Sequence, residues 1–120
     1  MTSSRDLPFE VSLYEAVVSS DPTNVEALMA LGEAYTQRGD YPRGLEVDQR
    51  LSRLRPADPV VQYNLACSLS LLGRREAALA TLEQAVALGY TDLSHLEKDP
   101  DLEAVRQDPR FEALRKRLLG

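Results

Sequence analysis

Apolar residues along this chain recur at helical spacing, and the set itself recurs. Leu31, Gly39, Leu45 and Leu54 return as Leu65, Gly73, Leu79 and Leu88, each about 34 residues further on, a period of stacked helical repeats. Small residues keep step: Gly32 answers Ala66, Gly44 answers Ala78, and Leu51 answers Ala85. β-Branched residues are few and no stretch alternates cleanly, so strand patterning is nearly absent.

The pattern predicts a first helix from about Pro8 to Ser20, apolar around most of its circumference, with only Ser12, Glu15 and Ser19 forming a clear polar stripe. Pro22 stops it. Thr23, with Glu26 three residues on, reads as the capping box of a second helix carrying Leu28, Leu31, Ala34 and Tyr35. Gly39 supplies a left-handed stop, and Asp40 caps a third helix that runs to about Arg55 and breaks at Pro56. Asp58 and Pro59 open a fourth helix through Val61, Leu65, Leu69 and Leu72, ended by Gly73. A fifth carries Ala78, Leu79, Leu82, Ala85 and Val86 up to Gly89. Beyond it, Thr91–Lys98 has room for one helical turn. Asp99-Pro100 and Asp108-Pro109 then each place a cap before a first-turn proline. A short helix with Leu102 and Val105 follows the first pair, and a last helix with Phe111, Leu114 and Leu118 follows the second.

These residues resemble the tetratricopeptide repeat family. Leu28, Leu31, Gly32, Tyr35, Gly39, Tyr41 and Pro56 match its favoured positions in one repeat, and Leu65, Ala66, Gly73, Ala78, Leu82 and Ala85 in a second. The resemblance implies an all-α fold of antiparallel helix-turn-helix repeats stacked in a short right-handed solenoid. It divides a single domain over 1–120 into a half repeat at 7–24, a full repeat at 25–58, a second at 59–92 and a degenerate closing segment at 93–120. It departs from the family pattern at Gly44, where Ala is preferred, at Asp48, where a bulky apolar residue usually packs, at Gln62, the large anchor position, and at Tyr90, where Pro is frequent.

Composition narrows the functional classes. The net charge of −5 argues against nucleic acid as main partner. No apolar run approaches the roughly 20 residues of a membrane span, and Met1–Asp6 lacks the apolar core of a secretory signal. One cysteine excludes an internal disulfide, which makes a reducing cytoplasm the expected setting.

Catalytic chemistry has little support. His95 is the only histidine, so no two-histidine metal site can form, and no metal or other cofactor is expected. Cys67 could act as a redox thiol only with a base nearby, and no basic neighbour stands beside it in sequence. The acidic run Glu97, Asp99 and Asp101 reads as helix caps. No phosphate-binding glycine loop is present.

Binding is better supported. The first helix of each repeat lines the concave face of such folds. Helical spacing puts Glu26, Met29, Glu33, Thr36 and Gln37 there from the second helix. The fourth contributes Val60, Tyr63, Asn64, Cys67, Ser70 and Leu71. This groove is expected to take a protein or peptide segment, with Glu26 and Glu33 favouring Lys or Arg. Some family members grip a terminal carboxylate with Lys, Arg and Asn; only Asn64 matches such a position here. The alternative is a homodimer through the first helix, whose candidate interface is Phe9, Val11, Leu13, Tyr14, Val17 and Val18.

Overall fold

Four of the helices and the 3-10 helix begin where an Asn or Asp side chain accepts from their first free amides. The computed structural model describes residues 7–120; Met1–Asp6, read above for a secretory leader, lies outside the described residues. The elements are α1 (Leu7–Ser20), α2 (Val25–Arg38), α3 (Tyr41–Leu54), α4 (Pro59–Leu71), α5 (Arg75–Ala87), α6 (Leu93–Lys98), a 3-10 helix (Pro100–Val105) and α7 (Pro109–Leu119). Residues up to Leu54 form one compact unit and Arg55–Gly120 a second.

In the first unit α2 packs against both α1 and α3. The cap of α2 differs from the sequence expectation. Asn24, not Thr23, occupies the N-cap, with extended backbone (φ −73°, ψ 100°), and its side chain accepts from the Ala27 amide at 3.0 Å. Asparagine there reaches the third amide of the helix, while Thr23 stays in the exposed turn. At the other end Gly39 takes φ 84°, its amide reaching Thr36 O at 3.0 Å, while the Asp40 amide reaches Tyr35 O at 2.9 Å. That paired closure needs a left-handed residue.

Two glycines let α2 and α3 approach closely. A Cβ on Gly32 would meet Asp48 Oδ1 at 3.2 Å, and one on Gly44 would meet Thr36 Oγ1 at 3.1 Å. Gly44, a departure from the family's alanine, therefore makes room for the Thr36 hydroxyl, which donates to Gly32 O at 3.0 Å. Asp48 is buried at the same interface, where the family places an apolar residue.

In the second unit α4 packs on α5, the 3-10 helix packs on both, and α7 packs on α5 and α6. Asp58 accepts from the Val60 and Val61 amides at 2.9 and 3.3 Å. Gln62, at the anchor position, is buried and donates to Pro56 O at 3.1 Å, so a polar tether replaces an apolar anchor. In the tail, Asp92 accepts from His95 N, Asp99 from Asp101 N and Asp108 from Arg110 N, each within 3.0 Å. Leu96, Leu102, Val105, Phe111 and Leu114 are all buried, so the closing segment contributes to the core of its unit.

Candidate functional site

Charge and apolar area are divided unequally between the two helices expected to line a groove. On α2, Glu26, Glu33 and Gln37 are exposed, with Met29 and Thr36 half-buried among them. This face carries two carboxylates around a flexible thioether. On α4 only Val60 is exposed, Asn64 and Leu71 are half-buried, and Tyr63, Cys67 and Ser70 are each under one-tenth exposed. Their cover is the tail: the 3-10 helix lies against α4 and brings Asp99 onto its polar side chains. Tyr63 and Cys67 are thus engaged by the tail of their own unit, Ser70 is buried beside them on α4, and the three do not line an open groove.

The enclosed cluster is closely bonded. Tyr63 donates its hydroxyl to Asp99 Oδ2 at 2.7 Å, and the Cys67 thiol lies 3.6 Å from the same oxygen. His95 Nε2 approaches it at 3.2 Å from α6, one turn before Asp99. The Tyr63 ring stacks on Tyr90 at 4.2 Å between centroids, nearly parallel, and meets the His95 ring at 5.5 Å. Arg106 holds the approach in place by donating to the carbonyls of Leu96, Glu97 and Asp99, while its guanidinium lies over the Phe111 ring. Ser70, one turn beyond Cys67, has a buried hydroxyl with no hydrogen-bond partner.

Burial sets the electrostatics. It pushes the Tyr63 phenol far up, with Cys67 and the Asp99 hydrogen bond adding to the effect. It also raises the Cys67 thiol, and Asp99 raises it further. A nucleophilic thiol needs the opposite environment, a cation or base that favours thiolate. Asp101 is raised by burial and then by its neighbour Asp99.

The expected dimer face is also divided. Val11 and Val18 are buried in the first unit, which removes them from any interface. Phe9 and Leu13 are 62% and 45% exposed, one turn apart on α1, with Tyr14 and Val17 half-buried. On the same unit a cleft of about 450 Å³ is lined by Glu15, Val18, Tyr35, Arg43, Val47 and Arg50, among others. The Tyr35 hydroxyl donates to Glu15 there, and burial, followed by that bond, raises the phenol to about 12.

The sequence reading did not find the cluster. Asp99 reads in the sequence as a helix cap, and it does cap the 3-10 helix; His95 is exposed. The only signal available was the spacing of Tyr63, Cys67 and Ser70 on one helical face, which says nothing of what covers that face. Among the described residues no helix is long and apolar enough to cross a membrane.

Comparison with known proteins identifies the architecture. Models of the tetratricopeptide repeat match residues 11–59 and 60–88. A chloroplastic protein of Arabidopsis thaliana is 34% identical over 88 residues, 71% of this chain and 26% of its own. A peroxisomal targeting signal receptor of Pichia angusta is 31% identical over 120 residues, 98% of this chain and 20% of its own. The chain thus spans about a quarter or less of the length of these two relatives. The crystal structure of MamA superposes with a TM-score of 0.72 at 23% identity, over 90% of this chain and 61% of that one, which shows a shared fold. Helix pairs at the repeat period, matched by two models over most of its length, place this chain in the tetratricopeptide repeat family.

Proposed function

We propose that this chain is a non-catalytic, cytoplasmic interaction module that binds a basic peptide segment on the exposed face of α2. The observation that carries this reading is the contrast between the two groove helices: Glu26, Met29 and Glu33 reach the surface on α2, whereas α4 is covered by its own tail. Methionine adapts to varied apolar side chains, and the flanking carboxylates select Lys or Arg. The likeness to proteins described as targeting-signal receptors supports a peptide as ligand. Asn64 alone matches the carboxylate-gripping pattern, so recognition of a peptide's interior is the better fit.

Selection from a random peptide library, followed by calorimetry, tests this. Recovered peptides should be rich in Lys or Arg, and Met29→Ala combined with Glu33→Lys should weaken them about 10-fold or more, the equivalent of ~1.4 kcal/mol. Unchanged affinity in a folded double variant rejects the α2 face.

A second reading rests on Phe9 and Leu13, an apolar pair exposed one turn apart on α1, the helix that packs on α2. We infer a homodimer in which two α1 helices cover each other's pair. Sedimentation should show a dimer at micromolar concentration that Leu13→Glu converts to monomer; a monomeric wild type ends this reading.

A further inference from the structure

The cleft of the first unit opens on the other side of α2 from Glu26, Met29 and Glu33, since helical spacing sets Leu28, Leu31 and Tyr35 opposite those three. Its volume of about 450 Å³ falls in the range of binding pockets, roughly 300–1,000 Å³. The residues around it form two layers. Glu15, Tyr35 and Arg43 make the first, and Pro22, Leu28 and Arg50 the second. Each segment contributes one residue to each layer, seven apart in the chain. Along α2 and α3 that separation is two turns, about 10.5 Å.

The first layer is satisfied from within. The Tyr35 hydroxyl donates to Glu15, the charge of Arg43 acts on the same phenol, and Arg43 also reaches Asp40 at 3.6 Å. The second layer is not. Arg50 is exposed and, among the described residues, has no hydrogen-bond or ion-pair partner. Glu46, one turn before it on α3, lines the cleft too but makes no bond to it. The surface beside Arg50 is apolar: Pro22 is exposed at the rim, with Val18, Leu28 and Val47 beneath. A guanidinium takes a carboxylate through two parallel hydrogen bonds, and an apolar floor takes an aliphatic side chain. The second layer offers both, side by side.

We propose that this cleft docks an acidic segment of a partner protein, with an Asp or Glu on Arg50 and a neighbouring aliphatic side chain over Pro22 and Leu28. The two sides of α2 then have opposite preferences, basic at Glu26 and Glu33, acidic at the cleft. Glu46 repels the incoming carboxylate and limits the affinity.

An NMR titration of the full chain tests this. The probe is an octapeptide with Leu-Glu-Leu-Asp at its centre and blocked ends, so that its anions are side chains alone. It should shift the Leu28, Val47 and Arg50 amides. Arg50→Ala, an exposed change, should weaken binding about 5-fold. Glu46→Gln should strengthen it. Met29→Ala combined with Glu33→Lys should leave it unchanged, which separates this site from the α2 face. The site is overturned by unmoved amides, by an affinity that Arg50→Ala leaves intact, or by equal binding of a Leu-Gln-Leu-Asn probe. Weakening by the α2 double variant also overturns it. So does tighter binding of the neutral probe with a free C-terminus, which assigns Arg50 to chain ends.

Discussion

The two units use one repeat pattern to opposite ends. In the first, α2 keeps a charged face with Met29 at the surface. In the second, the corresponding face of α4 carries Tyr63, Cys67 and Ser70 and is sealed by the tail. What differs is what the chain places beside each helix, so position in a repeat does not by itself decide whether a side chain binds a partner or holds the core.

The sharpest way to break this comparison is Leu102→Ala. Leu102 is fully buried under the seal, and truncation there should cost about 3 kcal/mol, read as a lower urea midpoint. Met29→Ala on the open face should move that midpoint little. Equal effects would mean the two faces are alike.

Next is the pair of buried phenols. Tyr63→Phe removes a hydrogen bond to an enclosed carboxylate and should cost about 2 kcal/mol, whereas Tyr35→Phe, whose partner Glu15 is exposed, should cost about 1 kcal/mol or less. Thermal melts of the two variants compare them directly. A reversed order would place the stronger network in the first unit.

Cap deletions compare the units on equal terms. Asn24→Ala and Asp58→Ala should each lose about 1 kcal/mol in chemical denaturation. An unaffected Asn24→Ala would return the cap of α2 to Thr23.

The last comparison is alkaline. Tyr35 and Tyr90, one in each unit, are both raised from 10 to about 12, chiefly by burial. The folded state then holds these protons more tightly than the unfolded one. Their contribution to stability is complete below pH 10 and declines as pH rises through 12. Ultraviolet titration should show both phenolates forming near pH 12 in the native protein, with the melting temperature falling over the same interval.

Much of this was legible in the chain. Gly39 and the Asp58, Asp99 and Asp108 caps act through neighbours two to five residues away, and local spacing reveals them. Thr23 and Asn24 are adjacent and both suitable as caps, so backbone geometry had to choose between them. The site was less legible. Tyr63 and Asp99 are 36 residues apart, and nothing in either one's local pattern signals the other. The sequence showed Tyr63 on the groove side of α4 but not that the chain itself would fill that side. For α1, helical periodicity picks out six apolar residues without saying which turn inward; packing on α2 takes Val11 and Val18 and leaves Phe9 and Leu13 exposed.

The exposed Phe9–Leu13 pair bears on how far assembly can go. A face that recognises its own copy across a two-fold axis is used up once two chains meet. Growth beyond a pair would need a second adhesive surface of different shape. The face of α4 that could have served as one is satisfied internally by the closing segment. In the homodimer proposed above, that two-fold contact would consume the Phe9–Leu13 face in a single pairing and would offer no register of its own along which further copies could add.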